Sequence, residues 1–212
     1  MINLSKERPI LFNTDMVKAI LKGEKTQTRR PIKGLGNNWH VNKLLGCWGL
    51  SDEPFIAEGV LHWELQTDVD DSRVFETRLP YKTGDILWVR ETWCRDDLTP
   101  DDVYYKANYT NRELKDLFED LGLKWKPSIR MPKDAARIFL KVTDVRVERL
   151  QDITEADAEK EGIDVDTIIN TCVGYTGSAK DAFSILWEQI YKNWDDNPWV
   201  WVIEFEKMGW LS

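Results

Sequence analysis

Apolar residues recur at helical spacing in four stretches of the chain. From Thr14 to Lys22, Val17, Ile20 and Leu21 share a face; Asn13 or Thr14 stands at the N-cap, Asp15 falls in the positive first turn, and Gly23 follows as the C′ residue. From Asn111 to Leu121, the residues Leu114, Leu117, Phe118 and Leu121 predict an amphipathic surface helix that ends at Gly122. Thr154 to Glu161 is shorter, with Thr154 and Asp157 spaced as a capping box and Gly162 as the stop. Ser178 to Lys192 sets Ala182, Phe183, Leu186, Trp187 and Ile190 along one side. These last two helices are expected to dock on a sheet.

Runs rich in β-branched and aromatic residues predict strands at 10–12, 85–93, 103–107, 136–150 and 199–207. The longest changes phase: Ile138, Leu140 and Val142 alternate in one register, Val145 and Val147 in the other, which predicts a β-bulge near Thr143 and Asp144. Residues 34–80 lack a clear period, mixing glycines and asparagines with Trp39, Trp48 and Trp63, yet are too apolar for disorder. They are expected to form a structured insertion or lid, and 164–178 a second, shorter loop. Strands and helices together predict a single α+β domain over 1–212, with insertions at about 34–80 and 108–130.

Composition narrows the class further. The 212 residues are 42% hydrophobic and 31% charged, the balance of a soluble globular chain with a real core. No apolar run approaches the ~20 residues of a membrane helix, and the first ten residues lack a secretory h-region. No membrane partner and a cytoplasmic location are expected. Cys47, Cys94 and Cys172 are far apart and odd in number, and His40 and His62 stand isolated, so the spacings of a disulfide framework, a metal site or a Ser-His-Asp triad are missing. Neither metal nor cofactor is expected.

Charge bears on the partner. With 37 acidic against 29 basic residues the net charge is −8, which disfavours a long polyanion. A small basic pocket in an acidic body suits a modified nucleoside or a short single-stranded RNA, because the local field can be positive while the global field is not. Eleven tryptophans leave candidates for base stacking, although large rings are mostly core.

The local exception to the acidic balance is "GEKTQTRRPIK", Gly23 to Lys33, where Lys25, Arg29, Arg30 and Lys33 surround two threonines with only Glu24 to oppose them. A threonine hydroxyl becomes a nucleophile when a base takes its proton, and a lysine can be that base once burial or neighbouring cations lower its pKa. Lys25 and Thr28 are three apart and would point to opposite faces of a regular strand, so their convergence needs a turn or bulge after Gly23. Glu161 is a second oddity, a carboxylate at the negative end of a helix. Either that helix is too short for its dipole to matter, or Glu161 is a proton carrier.

"LKGEKTQTRRPI" resembles the signature of the ASCH domain, a PUA-like β-barrel family with the pattern G-x-K-x-x-E-x-R. The chain matches at Gly23, Lys25 and Arg30, and has Thr28 where that pattern has glutamate. Small ASCH members that act as N(4)-acetylcytidine amidohydrolases carry K-x-x-T here. "YKTGDILWV", "LQDITEADAEKEGI" and "WVIEFEK" are similar to further segments of those enzymes in the same order, and the matched stretches cover roughly a third of the chain.

The resemblance implies a PUA-like mixed β-barrel with flanking helices, and puts the family's catalytic lysine, threonine nucleophile and glutamate on Lys25, Thr28 and Glu161. Arg29 and Arg30, with Trp39 and Trp48, are the expected substrate-binding residues. The amidohydrolases are about half this size, so 34–80 and 108–130 have no counterpart in them. Three readings stay open: removal of an acyl group from an N(4)-acetylcytidine-like nucleoside, binding of RNA or a modified nucleoside without hydrolysis, and a metal-independent ribonuclease built from Lys25, Arg30 and Glu161. Similar chains of phage and prophage origin leave the biological role open.

Overall fold

A computed structural model describes residues 5–32, 48–50, 55–67, 73–95, 102–110, 112–114, 124–163 and 177–209. It is a mixed α+β structure centred on a five-stranded sheet. The sheet's strands are β1 (Glu7–Leu11), β2 (Gln27–Pro31), β7 (Ile86–Arg90), β10 (Phe139–Arg149) and β11 (Trp199–Lys207), in the order β1-β7-β10-β11-β2. Only the β1–β7 pair is parallel; the other three are antiparallel.

The phase change in the long strand is real. The β10–β11 register shifts between Val142 and Asp144, a bulge that lets Val145 and Val147 pack against the same core as Leu140 and Val142. β11 reads as an almost unbroken apolar run because both of its faces are buried. Trp201, Ile203 and Phe205 pack with Ile10, Phe12, Leu87, Leu140 and the helix α1 (Thr14–Lys22). Val200 and Val202 pack under α2 (Glu155–Lys160) and α3 (Ala179–Tyr191). Each such fully buried aliphatic side chain contributes roughly 1.5–3 kcal/mol.

The helices begin and end where their punctuation says. Asn13 caps α1 and Gly23 closes it at φ 82°. Thr154 caps α2 and exchanges hydrogen bonds with Asp157, and Ser178 caps α3. The helix expected over 111–121 is described only at 112–114, where Thr110 and Glu113 form a capping box; its remainder lies outside the described residues, as does the loop expected at 164–178 apart from its last two positions.

Two features differ from the pattern-based expectation. Residues 27–31, which carry no strand signal, form the edge strand β2. The insertion contains a second, antiparallel sheet of β3 (Trp48–Leu50), β4 (Phe55–Ala57), β5 (Val60–Thr67) and β6 (Arg73–Arg78). Glu58 and Gly59, at φ 52° and 82°, make the two-residue turn between β4 and β5. Leu61 from β5 is fully buried in the main core, which ties the insertion to it. A small pair, β8 (Trp93–Arg95) with β9 (Val103–Tyr105), packs on Met131 and Ala135. No described helix is long and apolar enough to cross a membrane.

The sheet's two edge strands, β1 and β2, share no described backbone ladder. A side chain bridges them instead: Arg30 Nη2 donates to the Leu11 carbonyl at 2.7 Å. The Tyr81 hydroxyl donates to the Pro9 carbonyl at 3.1 Å, so two outward carbonyls of the β1 edge are satisfied by side chains.

Candidate active site

The site is assembled where α1 ends. At Gly23 the chain turns sharply, and the amides of Glu24 and Lys25 both donate to the Ala19 carbonyl, at 2.9 and 3.2 Å. This wrap carries Lys25 against the end of α2, where it forms an antiparallel bridge with Glu161, and the Thr26 amide donates to the Lys160 carbonyl at 2.9 Å. Gly162 permits the approach: it sits at φ 67°, and a Cβ there would lie 2.5 Å from Lys25 Cβ and 2.8 Å from Ala19 Cβ. A turn after Gly23 is therefore present and β2 begins only after it, but the Lys25 amine goes to Glu161 and the Gln27 carbonyl and makes no hydrogen bond to Thr28.

Lys25, Thr28, Arg29 and Glu161 are all buried. Lys25 Nζ donates to Glu161 Oε2 at 2.9 Å, to the Glu161 carbonyl at 2.7 Å and to the Gln27 carbonyl at 2.8 Å. An ammonium has three protons, and here each has an acceptor, which is what makes so buried a charge tolerable. Burial nevertheless pushes the Lys25 pKa below its ordinary value; Glu161 opposes the shift, and Arg30 and Arg29 add to it.

The other Glu161 oxygen, Oε1, faces Arg29 Nη1 at 3.4 Å. Arg29 Nη2 bonds Glu148 at 2.9 Å and approaches Asp157 at 3.6 Å, so its fully buried guanidinium joins three carboxylates. Burial acts to raise the Asp157 carboxyl, but the hydrogen bonds from Thr154 and the charge of Arg29 win and hold it below the ordinary range. The negative helix end that makes Glu161 an odd residue is thus faced by two cations. Arg29 lies among its acidic neighbours as a positioning cation, with Phe183 6.0 Å away on the α3 side.

Alternation along β2 sends Thr28 and Arg30 to the opposite face from Arg29. The Phe12 ring lies there, 5.6 Å from Lys25 Nζ and 5.5 Å from the Arg30 guanidinium carbon. Thr28, paired with Ile203 of β11, makes no hydrogen bond to Lys25 or Glu161. It lines, with Glu161, Arg29, Arg30 and Tyr191, a cavity of about 30 Å³, room for about two water molecules. Arg30 Nη1 faces the Tyr191 hydroxyl at 3.3 Å. Arg30 and Tyr191 also line a wider groove of about 620 Å³ on the other side.

Of the residues singled out in the sequence, Lys25 and Arg29 both bond Glu161, and Thr28 and Arg30 line one small cavity with Arg29 and Glu161, whereas Lys25 is not among its lining residues. Trp39 and the side chain of Trp48 lie outside the described residues. Sequence reasoning missed Glu148, Tyr191 and the approach of Asp157 to Arg29, Asp157 being visible only as a cap residue. Glu148 carried no such signal, since it shares its alternation with the charged Asp144 and Arg146. Among the described residues no three His, Cys, Asp or Glu side chains gather to hold a metal ion.

Comparison with known protein families, with curated proteins and with solved structures finds no match to this chain. The site is therefore defined by its own chemistry: a buried lysine–glutamate pair whose glutamate lines, with Thr28, Arg29, Arg30 and Tyr191, a water-sized cavity.

Proposed function

We propose that the chain is an ASCH-type protein of the PUA-like class and an amidohydrolase that removes an acyl group from a modified cytosine, with N(4)-acetylcytidine as the type substrate. One observation carries the reading. Glu161, bonded to the buried Lys25 at 2.9 Å, lines the same small cavity as Thr28.

In this scheme Glu161 accepts a proton from Lys25, leaving a neutral amine at a position where burial already favours that form. The amine takes the Thr28 proton as the Thr28 oxygen adds to the acyl carbonyl. The C–N bond then breaks, the exocyclic nitrogen leaves with a proton from Lys25, and the acyl group stays on Thr28 as an ester. A water molecule, activated by the same pair, hydrolyses that ester to free carboxylate and restores the hydroxyl. The missing hydrogen bond at Thr28 is compatible with this, because catalytic contacts often tighten only when substrate is bound. Arg29 keeps Glu161 in place throughout.

Acetate release from N(4)-acetylcytidine by purified protein tests the proposal. Thr28→Ala and Lys25→Met should each lower kcat by about 10²–10⁴-fold, the usual weight of an acid–base or nucleophilic group. Wild-type turnover that survives in both variants would remove the scheme.

A second reading has one specific support: all three Lys25 protons are engaged in the ground state, as in a site that only binds. A binding module would take cytidine-like ligands saturably and release no acetate. The ribonuclease reading is weaker, since Lys25 and Glu161 are buried away from any polymer backbone.

A further inference from the structure

The groove next to the site is chemically unlike it. It opens between the two edge strands, walled by Leu11 of β1 and Arg30 of β2, floored by Trp201 and Ile203, and flanked by Tyr81. Its volume of about 620 Å³ falls within the range of small-molecule sites, roughly 300–1,000 Å³.

Three arginines face into it: Arg30, Arg78 and Arg90. No aspartate or glutamate is among its described lining residues, and none of the three arginines forms an ion pair with a described residue. Arg30 bonds a carbonyl and a hydroxyl, and Arg90 uses Nε alone, on the Met131 carbonyl at 2.9 Å. Elsewhere in this chain of net charge −8, Arg29, Arg137 and Arg146 each hold carboxylates. Guanidinium groups that no described carboxylate holds, around an apolar floor, make a charge-assisted site for a flat ligand with an anionic end.

We propose that this groove binds the phosphate-bearing part of a nucleotide, so that the substrate class is a nucleoside monophosphate rather than a free nucleoside. The inference rests on the reading of the small cavity as the reaction site. The base would lie on the apolar floor toward the Arg30–Tyr191 contact, and the phosphate would lie against Arg90 and Arg78. A free mononucleotide is favoured over RNA because a net charge of −8 repels an extended polyanion while a small positive groove does not.

The test is binding, not turnover, so it stands apart from the hydrolysis assay. Affinity for cytidine, cytidine 5′-monophosphate and a short oligocytidylate is measured by tryptophan fluorescence on the Thr28→Ala protein at low salt. The monophosphate should bind about tenfold or more tightly than cytidine, as charge-assisted contacts to phosphate require. That preference should fall with added salt, and the oligonucleotide should bind no tighter than the monophosphate. Arg90→Gln and Arg78→Gln should each erase much of the preference and leave cytidine binding unchanged; the Arg78 side chain is exposed and bonds no described residue, so its variant is expected to keep the fold. Equal affinity for cytidine and its monophosphate, no binding of either, or a preference untouched in both variants would overturn the assignment, whatever the acetate assay gives. An oligonucleotide that binds much more tightly than the monophosphate would overturn it in favour of RNA.

Discussion

Gly162→Ala tests how the site is held together. At φ 67° an alanine pays the left-handed penalty, roughly 1–2 kcal/mol. Its Cβ would also stand 2.5 Å from Lys25 Cβ, 2.8 Å from Ala19 Cβ and 3.0 Å from Lys25 Cα. The backbone atom cannot swing aside, so the overpacking adds about 1–3 kcal/mol. The expected loss is about 2–5 kcal/mol, a large share of the roughly 5–15 kcal/mol that a domain has in total. Gly23→Ala is the control, since Gly23 has φ 82° but no atom within 4 Å of the added Cβ, leaving the conformational penalty alone. Urea unfolding followed by tryptophan fluorescence measures both. If Gly162→Ala is no more destabilising than Gly23→Ala, the close passage of Lys25 against α2 is wrong, and with it the geometry of the pair.

Other outcomes follow from the same contacts. Lys25→Met strands two carbonyls and one buried carboxylate oxygen and should cost about 3–5 kcal/mol in urea unfolding. Adding Glu161→Gln to it should recover part of that, a coupling of about 0.5–3 kcal/mol in a double-mutant cycle. Because burial lowers the Lys25 pKa on folding, the unfolded chain holds more protons between the folded value and 10.5, so stability should rise with pH through that window, and this slope should vanish in Lys25→Met. For the same reason the rising limb of kcat/KM against pH should level off below 10.5. Arg29→Lys replaces a planar fork that meets three carboxylates with a single point charge, and circular dichroism melting should register the loss.

The parts of the fold legible in the sequence are those where burial imposes a period. Leu140 and Val142 alternate because β10 has one face on the core, and the phase change after them marks the bulge. Helix ends were legible because Asn13, Thr154, Ser178 and Gly23 each do one local job. β2 was hidden for the opposite reason: Gln27, Thr28 and Arg29 are buried, but polar, so no hydrophobic pattern marks the strand. Their burial is made possible by partners that lie far off in the chain, Glu148 at a separation of 119 residues and Glu161 at 132. The sheet in the insertion was missed because its hairpin turns on Glu58–Gly59 instead of a more typical Asn-Gly or Asp-Gly pair. For the site, Lys25, Thr28 and Glu161 stood out by residue type and resemblance, whereas the roles of Arg29 and Tyr191 needed three-dimensional contacts.

Covalent catalysis by Thr28 is tested by where the acyl group goes. The wild-type protein turning over N(4)-acetylcytidine is quenched in acid within the steady state, digested, and its peptides are weighed. A Thr28 nucleophile leaves an acetyl ester on the peptide that contains it, absent when Thr28→Ala is treated alike. Acetate release that continues in Thr28→Ala, with no acylated peptide in either protein, would contradict it.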